Sequence, residues 1–87
     1  MSMTSEKLIG KVTHYYNKLG VAVVRLNDML EVGQTVHIKG KSADFEQPVD
    51  SMQIQHDKID QAKKGDVVGI KVQQKVKEGD EVYLGNK

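Results

Sequence analysis

Between Leu8 and Leu84 the apolar residues recur at every second position, in short runs broken by glycine, a period that predicts strands and not helices. Leu8 to Tyr16 places Gly10, Val12, His14 and Tyr16 on one face and Ile9, Lys11, Thr13 and Tyr15 on the other, and the Val12 side is assigned to the core. Asn17-Lys18-Leu19-Gly20 reads as a turn, and the β-branched run Val21 to Leu26 as the returning strand of a hairpin. Further on, Val36, Ile38 and Gly40 point inward and His37, Lys39 and Lys41 outward. The polar stretch from Ser42 to Pro48 holds the only proline and predicts a loop or a strand edge. Val49 to His56 resumes alternation around Met52 and Ile54. Ile59 and Ala62, three apart, suit one helical turn or an irregular connection between Asp57 and Lys64. Val68, Ile70 and Val72, then Val82 and Leu84, complete the inward set.

The punctuation is repetitive. Gly33-Gln34-Thr35-Val36, Gly65-Asp66-Val67-Val68 and Gly79-Asp80-Glu81-Val82 share one form: glycine, Asp or Gln, any residue, valine. Glycine reaches positive φ without a Cβ clash, and a following Asp or Gln can hydrogen-bond locally in a turn. The reading is all-β: a small closed antiparallel β-barrel of about six strands, since closure removes exposed edges. It assigns residues 1–7 to a flexible N-terminal tail and 8–87 to a single barrel domain.

Composition narrows the chemistry. The 87 residues include no cysteine, which removes disulfides and thiolate metal sites. Thirteen Lys and Arg stand against twelve Asp and Glu, net +1, unlike a dedicated DNA binder. Arg25 is the single arginine, so bidentate base readout is disfavoured. No apolar run is long enough for a membrane span, and the start lacks the apolar core of a secretory signal, so a cytoplasmic location is expected.

Ile9-Gly10-Lys11-Val12, Leu30 to Gly40, Val49 to Ile54, Ala62 to Gly69 and Glu78 to Val82 occur in an order that resembles the second domain of translational GTPases such as elongation factor Tu. The similarity is greater still to small stand-alone translation elongation factor-like proteins, and related barrels occur at the carboxy end of one peptidase family. The resemblance implies a barrel that contacts the ribosome, tRNA, ribosomal RNA or a translation-associated protein. It also implies that Gly10 and, less directly, Gln53 stand where that family holds the tRNA 3′ end. Two departures count against carrying the function over. Gln53 replaces a family carboxylate, and Thr13 to Met29 is longer than the family's link. No G-x-x-x-x-G-K-[ST] loop is present, so no nucleotide is bound.

The residues support no catalytic site and no cofactor. His14, His37 and His56 lie on separate segments without ligand spacing, so no metal site is expected. No Gly-x-Ser-x-Gly elbow occurs, and Asp66 and Asp80 are explained as turn formers. The chain reads as a non-enzymatic binding module. Lys39, Lys41, Lys63 and Lys64 are the candidate phosphate contacts, and Tyr15 and Tyr83 a candidate aromatic platform. The alternative is a protein–protein adaptor or a detached accessory domain of a separately encoded enzyme such as a peptidase, docking through Tyr15, Tyr83 and Phe45.

Overall fold

In the computed structural model, which describes residues 6–41, 43–55 and 57–85, the chain forms ten strands. They are β1 (Lys7–Tyr16), β2 (Val21–Leu26), β3 (Leu30–Glu31), β4 (Thr35–Lys39), β5 (Asp44–Pro48), β6 (Met52–Ile54), β7 (Asp57–Ile59), β8 (Gln61–Ala62), β9 (Val67–Lys71) and β10 (Glu81–Leu84). An eight-stranded antiparallel sheet runs β5-β4-β10-β1-β2-β9-β6-β7, and β3 pairs with β8 in a second, two-stranded sheet. Among the described residues no helix is long and apolar enough to cross a membrane.

The all-β expectation holds, with ten strands among the described residues where about six were expected. The polar stretch before Pro48 takes the strand-edge reading as β5, and the Asp57–Lys64 region contains β7 and β8 in place of a helical turn. The barrel does not close through a backbone ladder, because β5 and β7 remain the two ends of the sheet. A side chain ties β5 to the end of β9 instead. Gln47, buried on the inner face of β5, donates from Nε2 to the Lys71 carbonyl (2.7 Å) and accepts at Oε1 from the Gln73 N–H (2.8 Å). Lys7, assigned to the tail, instead begins β1 and pairs with Asp28, and Glu6 is bonded to His37. Residues 1–5 lie outside the described residues.

The core is built from cross-strand rows on the inner face. One row reads Phe45, Ile38, Val82, Gly10, Leu26, and another Tyr15, Ala22, Ile70, Met52, Ile59. Val36, Val68 and Val82, the valines of the three repeats, are all fully buried. The first strand departs from simple alternation. A bulge between Val12 and His14 adds one residue, so Val12 and Tyr15 both face the core while His14 and Tyr16 turn out. An assignment of one face to Val12, His14 and Tyr16 is therefore right only up to the bulge.

The repeats fold alike. Gly33, Gly65 and Gly79 have φ of 98°, 93° and 92°, at the turn position that requires a positive angle. In each turn the residue after glycine accepts a side-chain hydrogen bond from the backbone N–H three residues earlier: Gln34 from Glu31 (2.8 Å), Asp66 from Lys63 (3.0 Å) and Asp80 from Lys77 (2.9 Å). Asp80 does more than close its turn. Its buried carboxylate fills the space beside Gly40, where an added Cβ would meet Oδ1 at 2.0 Å. Asp80→Ala is expected to cost about 1.5–3 kcal/mol, the range for a hydrogen bond to a charged group. The more exposed Asp66→Ala is expected to cost less, and equal urea midpoints for the two variants would contradict this account.

Candidate functional site

The Thr13 bulge decides what the outer surface offers. It turns His14 and Tyr16 outward, where their rings meet edge-on with centroids 4.4 Å apart. The chain then reverses through a tight turn in which the Gly20 N–H bonds to the Tyr16 carbonyl (2.8 Å), and Gly20 takes φ 67°. Leu19 is left at the tip, 64% exposed. On the far side, β6 is only three residues long and meets β9 at two positions, Met52 with Ile70 and Gln53 with Gly69. Gln55, at φ 50°, leads the chain away into β7. The start of β9 is thus uncovered, and Val67 is 47% exposed.

These features enclose a groove of about 540 Å³. Its floor is Val21, Val23 and Gly69; the missing side chain at Gly69 keeps it open, since a Cβ there would stand 3.3 Å from Val21 Cγ1. Tyr16 and Leu19 form one wall, Val67 and Gln53 to Gln55 the other. Five large apolar residues are exposed among the described residues: Tyr16, Leu19, Met29, Val32 and Val67. Three of them line this groove, so the exposed apolar surface is concentrated here. The one carboxylate lining it, Asp66, is occupied by the Lys63 N–H. Such a lining suits a packing contact.

The residues singled out from the sequence are dispersed. Lys39 and Lys41, with Lys77, line a different cleft alongside Glu78, Asp80 and Glu81. Lys63 and Lys64 belong to the turn before β9. One outward register row reads Arg25, Lys11, Glu81, Lys39, Asp44, so acids interrupt the cations along that row. Tyr15 packs against the core, and Phe45 is buried. Tyr83 is half-buried, donates its hydroxyl to Glu81 (2.7 Å) and lies under the Lys39 ammonium, 5.6 Å from the ring centre. The hydrogen bond to Glu81 holds its phenol above the usual tyrosine range. The three aromatics therefore make no exposed platform. Gly10 is buried beneath β2, with Gln53 outward in the groove, so the two share no notch. Tyr16, Leu19 and Val67 were not singled out. The available signal was Leu19, an apolar residue at the tip of a polar turn.

A second cluster sits where β4 meets β5. His37 Nδ1 is 2.6 Å from Glu6 Oε2, and its Nε2 is 2.5 Å from Asp44 Oδ1. Burial opposes the charged imidazole, but the bonds to Asp44 and Glu6 outweigh it and raise the His37 pKa. The hydrogen bond from His37 lowers that of Asp44. His56, the third histidine, lies outside the described residues.

No protein-family model matches the chain. Over 77 residues it is 46% identical to a Methanocaldococcus jannaschii protein described as an uncharacterized protease, a match covering 87% of this chain and 19% of that protein. The chain thus spans about a fifth of the length of the curated relative it matches. Its fold is that of the C-terminal domain of a putative U32 peptidase from Geobacillus thermoleovorans. One crystal structure of that domain superposes with a TM-score of 0.86 at 20% identity, covering 92% of this chain and 93% of that one. Its selenomethionine variant gives a TM-score of 0.83 at 20% identity, with 87% and 96% covered.

These matches overturn the resemblance to translation elongation factor-like proteins: relative and structural neighbours alike carry protease or peptidase descriptions. The misleading signal has a physical source. Gly-Asp turns feeding short alternating strands are a solution to folding a small β-domain, and they carry no information about its partner.

Proposed function

We propose that this chain is a non-catalytic accessory module of a peptidase-type protein, docking through the groove walled by Tyr16, Leu19 and Val67. The observation that carries the reading is the 46% identity to a protease over 77 residues that make up only 19% of that protein. The match is confined to that stretch and leaves the remaining four fifths of the relative unmatched. The crystallised peptidase domain with the same fold supports treating it as an independently folding piece. Within the groove, apolar walls exclude water from a partner's side chains, and the amides of Gln53 and Gln55 supply a polar rim.

The test deletes the matching segment from the M. jannaschii protease and titrates the remainder with this chain by calorimetry. A complex is expected, with affinity changing by less than about threefold between low and moderate salt, whereas a phosphate-binding surface would lose orders of magnitude. Leu19→Asp combined with Val67→Lys is expected to weaken it at least about tenfold, as loss of central apolar anchors does. Both positions are exposed, so the thermal melt should stay near that of the parent chain. Absence of a complex, or one indifferent to the double variant, refutes the reading.

A further inference from the structure

We propose that Glu6, His37 and Glu46 form a binding site for a divalent transition-metal ion, with Asp44 as the residue that orients the imidazole. The three come from the residue just before β1, from β4 and from β5, and each presents one ligand atom within 4.8 Å of the others. Ligand atoms around one such ion stand roughly 3–4.4 Å apart when each bond is about 2.0–2.2 Å, so a small side-chain adjustment closes the set.

The arrangement has the two shells a metal site requires. His37 faces Glu46 directly across the β4–β5 register, while its Nδ1 faces Glu6. On the other side of the ring, Nε2 is held by Asp44. A carboxylate on the far nitrogen fixes the tautomer and the ring angle of a ligating histidine. Here it leaves Nδ1 facing Glu6, with Glu46 opposite His37 across the strand register. The metal ion takes the place of the proton on Nδ1.

Charge points the same way. Glu6, Asp44 and Glu46 surround a single imidazole, so the cluster stays net negative even when His37 is protonated. The nitrogen donor selects against Mg2+ and Ca2+, and the absence of cysteine against soft monovalent ions, leaving the Zn2+ and Co2+ class. Bound there, the ion ties the beginning of β1 to the edge hairpin across the intervening β10.

The experiment titrates the untagged, metal-free chain with Zn2+ by calorimetry and with Co2+ by visible absorption. One equivalent of each is expected to bind, with no response to Mg2+. His37→Ala should abolish binding, and Glu6→Gln and Glu46→Gln should each weaken it at least about tenfold, while Asp44→Asn weakens it about 10–100-fold. His14→Ala should leave it unchanged. Because His37 is largely buried, circular dichroism accompanies each variant, and the exposed Glu46→Gln keeps the test decisive if His37→Ala misfolds. No Zn2+ uptake at about millimolar metal overturns the proposal. So does uptake undiminished by both His37→Ala and Glu46→Gln, or Mg2+ binding as strong as Zn2+.

Discussion

Gly10→Ala is expected to lower the unfolding free energy by about 2–3 kcal/mol, the upper part of the range for overpacking a tight interior. Gly10 lies in the inner row between Val82 and Leu26, and Ile9 and Gly10 are both buried because the strand bulges beside them. An added Cβ would stand 2.7 Å from the Arg25 carbonyl oxygen and 2.8 Å from Val24 Cγ1. The first of these atoms is backbone, so relief requires β1 and β2 to separate where they are hydrogen-bonded. For a domain of this size each kcal/mol shifts the melting temperature by roughly 4–8 °C, so a fall of about 8 °C or more is the expected result of thermal unfolding. A pocket-lining glycine, as the translation-factor resemblance implied, would instead tolerate alanine with an unchanged melt. That result would remove the structural role assigned here.

Gln47→Leu is expected to cost about 2–4 kcal/mol, although leucine nearly matches the shape and is more apolar. The amide is the link between β5 and the segment that follows β9, and leucine leaves the Lys71 carbonyl and the Gln73 N–H without their partner. Each of these part-buried backbone groups left without its partner costs up to about 1–3 kcal/mol, more than the leucine's added burial returns. The effect should be local before it is global. Amide exchange at Gln73 should accelerate most, while the β1–β2 and β1–β10 ladders keep their protection until the whole domain opens. Unaltered exchange at Gln73 would mean that the gap between β5 and β9 is held by something else. Both variants bear on docking, because a groove made by the outer side chains of β2 and β9 is only as well formed as the sheet beneath it.

Much of the architecture is legible along the chain. The alternation of Val36 with Ile38 and of Val68 with Ile70 places those residues inside, and all four are buried. The glycine turns also follow from local rules, since a positive φ and a side-chain acceptor at the next position are properties of a few adjacent residues. Local rules fail where an extra residue enters a strand. Nothing in Val12-Thr13-His14 announces the bulge, yet it reverses the facing of Tyr15 and Tyr16 and so moves one tyrosine into the core and the other into the groove.

The candidate sites lie further from reach. Leu19 and Val67 are 48 positions apart, and they meet because β9 pairs with β2 while β6 turns away early. Glu6 and His37 are 31 apart, and their contact depends on β10 pairing with both β1 and β4. Side-chain period and turn chemistry are short-range, and they specified strands, inner faces and reversals in this chain. Which outer residues become neighbours depends on strand order and register, set by the packing of the whole sheet; the groove, the histidine cluster and the Gln47 link came into view only with the folded molecule.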